Sequence, residues 1–103
     1  MRDMISNLQT TDLSTDTLSG VTPNQSTWLD VKGFSGAAIE LMTGAVTDAG
    51  TAAGFTATLQ HSDTTAAADA VTVPTADTTN AVNSLTVTSD DDDNIVVGVL
   101  GYN

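Results

Sequence analysis

The sequence predicts an all-β fold: a small antiparallel β-sandwich of jelly-roll-like connectivity, preceded by an extended N-terminal arm. Three observations carry that expectation. Several short windows alternate apolar and polar residues with period two, small turn-forming residues separate them, and no window of helical length repeats at 3.6. Nineteen threonines reinforce it, because a β-branched side chain favours strands and its hydroxyl suits a solvated sheet face.

The elements follow in order. Residues 1–26 read as the arm: polar and rich in Thr, Ser and Asp, with Met4, Ile5, Leu8, Leu13 and Leu18 too sparse for a helix face or a long strand. A poorly ordered terminus and a short helical turn near Asp3–Leu8 are the alternatives to an extended arm, and Pro23-Asn24 marks a turn. The β-sandwich domain spans 27–103. Trp28-Leu29-Asp30-Val31 is its first expected strand, and residues 32–36 form a loop. Ala37–Thr43 is the second strand, with Ile39 and Leu41 on one face and Glu40 on the other. After a Gly/Ala/Thr loop over 44–54, Phe55–His61 gives the cleanest alternation, placing Phe55, Ala57 and Leu59 against Thr56, Thr58 and Gln60. Residues 62–65 are a turn, and Ala66–Asp69 has room for one helical turn. Val71 and Val73 begin a short strand ended by Pro74; Leu85 and Val87 alternate with Thr86 and Thr88 in the next. Asn94–Tyr102 closes the set, with Ile95-Val96-Val97 read as buried on both faces.

At 103 residues this is one small domain with a modest core. Only Trp28, Phe34, Phe55 and Tyr102 are aromatic, and much of the 40% hydrophobic content is alanine. The expected core is therefore thin, built from Val, Leu, Ile and Ala, with a partner surface supplying part of the stability. Thirteen acidic residues against Arg2 and Lys32 give a formal net charge of −11. That surface repels phosphate backbones and anionic bilayers, so neither nucleic acid nor membrane is an expected partner. Such self-repulsion predicts a saline setting, marine or haloarchaeal, and a melting temperature that rises with salt; an acidic protein of an ordinary bacterium or phage is the other reading. Cysteine is absent, so disulfides are excluded. No apolar leader follows Arg2, and Ile95–Leu100 is too short to span a bilayer.

The constellations that carry chemistry are few. His61 is the only histidine, with Ser62 and Asp63 beside it on a turn, and nothing resembles a nucleophile elbow. The expected role is a strand-end histidine entering a polar loop, with no catalytic residue in the chain. Asp90, Asp91, Asp92 and Asp93 are candidate metal ligands, since Ca²⁺ prefers oxygen donors. The EF-hand spacing is missing, however, and adjacent strand carboxylates point to alternate sides. A solvated acidic turn before the last strand is the other reading, with no cofactor. Gly44, Gly50 and Gly54 lack the lysine and the following helix that a phosphate loop requires.

Several segments also carry a resemblance. They are Met1-Arg2-Asp3, Leu29–Ala38 (LDVKGFSGAA), Thr43–Gly50 (TGAVTDAG), Phe55–Asp63 (FTATLQHSD) and Val97–Tyr102 (VGVLGY). In that order they resemble a family of small virion proteins of tailed phages, encoded near the major capsid protein. The resemblance implies a β-sandwich capsid decoration, or cement, protein on the outer surface of the virion. Its implied partner is the major capsid protein lattice, engaged as a homo-oligomer. Family members continue past the Gly-Tyr segment into a Lys/Arg- and Tyr-rich strand; the expectation here is that this continuation is missing from the sequence or that a neighbour completes the sheet. The expected contact residues are Met1, Met4, Ile5, Leu8, Trp28, Phe34 and Tyr102. Two other expectations are a head-fibre or tail-associated module binding a surface glycan through Trp28 or Tyr102, and a neck or tail-completion protein.

Overall fold

The computed structural model describes residues 11–19, 23–47 and 54–103, and these are all-β. Six strands are present: β1 (Ala37–Met42), β2 (Phe55–Thr58), β3 (Gln60–His61), β4 (Val71–Thr72), β5 (Ser84–Val87) and β6 (Val96–Tyr102). Short 3-10 turns at Ala67–Asp69 and Thr75–Asp77 are the only helical pieces among the described residues. The strands form three two-stranded antiparallel ladders, β1 with β6, β2 with β5, and β3 with β4. The pairs are nested, so each ladder encloses the next along the chain. Such nesting is what an antiparallel ribbon produces when it starts from one central turn, here the polar segment 62–70 between β3 and β4.

Alternation in the sequence translates directly into burial. In β1, Ala37, Ile39 and Leu41 are half-buried, while Ala38, Glu40 and Met42 are exposed. In β2 and β5, Phe55, Ala57, Leu85 and Val87 turn inward, and Thr56 and Thr86 meet outside through their hydroxyls at 2.9 Å. Leu59, Val73 and Leu100 form the core, with Ile39, Leu85 and Tyr102 packed against them. With Val87, these make only four buried hydrophobic side chains among the described residues, so the core is as thin as the composition implied.

Leu59 divides what the sequence presented as one strand. Its N–H donates to the Asn83 carbonyl at 2.8 Å, and its carbonyl accepts from the Val73 N–H at 3.0 Å. The chain thereby leaves the β5 ladder and joins β4, turning a corner by exchanging partners. The amide of Asn83 ties the same corner by donating to the Val73 carbonyl at 2.9 Å. Gly54 opens β2 with φ 67, and a Cβ there would lie 1.8 Å from the Val87 carbonyl oxygen. Only glycine meets both conditions. Gly98 of β6 has a different reason: the Leu85 side chain lies over it, a Cβ there coming within 3.0 Å of a Leu85 methyl carbon.

Two strand expectations are corrected. Trp28–Val31 is not a strand. The chain turns immediately after it, with the Phe34 N–H donating to the Val31 carbonyl at 3.1 Å and Gly33 at φ 88. The segment gains no ladder partner among the described residues, and local alternation without a partner does not make a strand. Ile95-Val96-Val97 is not buried on both faces: Ile95 and Val96 are 41% and 54% exposed, and Val97 is half-buried. The β1–β6 register shifts between Leu41 and Met42, pairing Leu41 with Gly98 and Met42 with Val96. Val97 is thus the extra residue of a bulge, and the outer face of this two-stranded ladder stays open.

The chain divides into two compact units, Met1–Asp30 and Val31–Asn103. The described part of the first unit has no helix or strand. Within it, the Thr27 hydroxyl donates to the Leu13 carbonyl, and Ser14 donates to the Asp16 carboxylate. The helical turn expected near Asp3–Leu8 lies outside the described residues.

Candidate functional site

Three places in the second unit gather the residues that could bind something. The first is a cleft formed where β3 and β6 end. His61 closes β3 at the central turn and Tyr102 closes β6 at the opposite end of the nested pairs, and the two side chains meet although 41 residues separate them. The imidazole Nδ1 and the phenol oxygen are 3.0 Å apart. The rings meet edge to face, with centroids 5.7 Å apart and planes at 83°. A cleft of about 220 Å³ opens beside the pair, with Ser62, Asp63, Asp69 and Val71 on its walls. Its polar groups are largely engaged with the loop. Ser62 Oγ accepts from the Thr64 N–H at 3.1 Å, and the Thr64 hydroxyl donates to the Asp69 carboxylate at 2.7 Å. The Ser62 hydroxyl therefore serves the turn, and His61 Nδ1 faces Tyr102 instead of a serine. His61 stands at the end of a strand before a polar turn, the position expected from the sequence.

The second place is the acidic turn between β5 and β6. The Asp91 N–H donates to Ser89 Oγ and the Asp92 N–H to the Ser89 carbonyl, both at 3.1 Å, which tightens the loop. Asp93 is held by both of its oxygens: Oδ1 accepts from the Val46 N–H at 2.8 Å and Oδ2 from the Asn94 amide at 2.9 Å. Asn94 adopts φ 52, a conformation that its short polar side chain tolerates. Its N–H donates to the Gly44 carbonyl, and the Thr43 N–H to the Ile95 carbonyl, both at 2.9 Å. The turn therefore extends the β1–β6 ladder. Asp90, Asp91 and Asp93 face solvent and Asp92 is half-buried. Among the described residues no three acidic or histidine side chains converge to hold a metal ion.

The third place is the outer face of β1 and β6. Glu40 lies opposite Val99 and, across the bulge at Val97, Met42 lies opposite Val96. Met42 is 66% exposed and Val99 45%. Ile95 and Ala38 flank the stripe, both exposed. Glu40 is the only formally charged residue within any described strand.

Of the contact residues expected from the sequence, Trp28 and Phe34 are exposed. Tyr102 is half-buried, divided between the core and the cleft. Met1, Met4, Ile5 and Leu8 lie outside the described residues. The outer-face residues Met42, Val96 and Val99 were not singled out by sequence reasoning. The alternation of Glu40 and Met42 against Ile39 and Leu41 carried the signal, but the Val-Val-Gly-Val run masked it on β6. For the His61–Tyr102 pairing no local signal exists, because it depends on which strand ends meet.

The described fold defines a small antiparallel all-β domain with exposed apolar strand faces. Comparisons with family models, curated proteins and solved structures give no match to this chain.

Proposed function

We propose that this chain is a structural assembly protein, a capsid decoration subunit that docks on the outer lattice of a tailed virus and stabilises it. The observation carrying the proposal is an imbalance of apolar surface. Ten large hydrophobic side chains are exposed among the described residues, against four hydrophobic residues that are buried. Isolated exposed apolar residues are ordinary, but an exposed apolar stripe along an open ladder is a feature of association surfaces. The resemblance of the LDVKGFSGAA, FTATLQHSD and VGVLGY segments to virion proteins supplies the setting. We also read the three nested ladders as one ribbon folded into the jelly-roll-like sandwich, a reading supported by Leu85 of β5 lying against Gly98 of β6. Repetition on a lattice then gives avidity, so a small contact per subunit suffices.

Electron microscopy and quantitative mass spectrometry of purified virions test this. Hundreds of copies on the outer shell are the expected result, whereas a ring of about six or twelve at the neck, or no copies at all, would reject the role.

A second reading, a module binding a surface glycan, is favoured by the cleft at Tyr102, with its aromatic edge and the Asp63 and Asp69 carboxylates. A glycan-array signal abolished by Tyr102→Ala, but unaffected by Met42→Glu, would replace the first reading with this one.

A further inference from the structure

We infer that the edge of β1 left unpaired among the described residues accepts an extended strand from a basic protein partner, one that places a lysine or arginine opposite Glu40 between two apolar residues. This names the partner chemistry of the docking face and rests on the assembly role just proposed.

The two sides of the β1–β6 ladder differ. On the β6 side, Thr78 bridges to Tyr102, the Thr79 N–H donates to the Gly101 carbonyl at 3.0 Å, and the Asn80 amide reaches the Val99 carbonyl at 3.4 Å. That edge is covered. On the β1 side, no strand other than β6 pairs with Ala37–Met42 among the described residues. A six-residue strand with an open edge is a template for another strand, whose backbone hydrogen bonds give affinity while alternate side chains give specificity.

The side chains an incoming strand would meet are Ala38, Glu40 and Met42, exposed at alternate positions of β1, with Val99 and Val96 behind them. Apolar, acidic, apolar is the pattern, and its complement is apolar, basic, apolar. Burying Glu40 without a cationic neighbour would leave a charge desolvated and unpaired, which is strongly unfavourable.

A second copy of this chain fits poorly. Antiparallel pairing of β1 with itself sets two Glu40 carboxylates directly opposite or diagonally adjacent, where like charges repel. Each copy also brings a formal charge of −11. A partner of opposite charge gains from both features and is steered toward the site at low salt.

The test uses the full chain, labelled with nitrogen-15, and two seven-residue peptides. The first has threonine at odd positions and valine, lysine, valine at the even ones; the second replaces its lysine by glutamate. Titration at low salt is expected to move amide signals of residues 37–42 with the lysine peptide, and to show about tenfold weaker binding of the glutamate peptide. Glu40→Lys is expected to reverse that preference. Glu40 is exposed, so the variant should melt no lower than the parent, and Thr86→Ser, on the β2–β5 ladder, should leave both titrations unchanged. Equal binding of the two peptides, no saturable shift, or shifts confined to the cleft at Tyr102 would overturn the inference. So would a dimer in sedimentation that Met42→Glu dissociates, since the occupant would then be a second copy. Because no virion enters this experiment, absence of the chain from particles would reject the decoration role while leaving the strand-acceptor inference standing.

Discussion

The inner and outer faces of the β1–β6 ladder are made from alternate residues of the same two strands, yet they do different work. Inside, Ile39, Leu100 and Tyr102 join Leu59, Val73 and Leu85 to exclude water. Outside, Met42, Val96 and Val99 stand in solvent around one carboxylate. Both faces are apolar, so hydrophobicity alone does not distinguish them. The distinction is whether another layer of this chain lies over the face. Apolar area that remains exposed in the folded chain contributes nothing to its stability, and in the proposed assembly role it is the area that a partner would cover.

Mutations on the two faces should therefore read out differently. The largest effect belongs inside. Leu100→Ala removes a side chain that is 4% exposed from a core of very few members. Urea denaturation should show a loss of about 2–4 kcal/mol. A loss under about 1 kcal/mol would mean that this core does not hold the ladders together.

Next comes salt, which acts on the whole surface. Raising the concentration from low to molar should increase the melting temperature, because screening relieves the repulsion among thirteen acidic groups with two basic ones. A flat profile would show that the acidic groups are spaced too widely to oppose folding.

Tyr102→Phe sits on the border between the faces. It deletes the hydroxyl that meets His61 Nδ1 and keeps the ring in the core. The expected loss is about 1 kcal/mol of stability, measured by the same denaturation.

Val99→Thr on the outer face should be smallest, within about 0.5 kcal/mol, since the shape is nearly retained and the side chain is exposed. Should it cost as much as Leu100→Ala, the outer face would be part of the core after all. A clear loss of partner binding from this near-silent variant would sharpen the contrast most.

Much of the fold was legible because alternation and turn chemistry are local. The inward set of Ile39, Leu41, Phe55, Ala57, Leu59, Leu85 and Val87 could be read from period two, and the turns at 62–65 and 90–93 from their Ser, Thr and Asp residues. The candidate site was less legible. Ile95-Val96-Val97 looked buried on both faces because an apolar run does not say how many layers cover it. Trp28–Val31 looked like a strand because a strand is defined by its partner, which a single window cannot show.

By itself the sequence determined the all-β class, the thin core, the charge of −11 and the positions of most strands, since each depends on composition or neighbouring residues. The tertiary structure decided the nested pairing of β1 with β6, β2 with β5 and β3 with β4, and the exchange of partners at Leu59. It also decided the meeting of His61 with Tyr102, and which apolar residues of β1 and β6 stay uncovered. Those outcomes depend on contacts between residues dozens of positions apart. Their energies come from closing loops and excluding water across the whole domain, so no local stretch of sequence contains them.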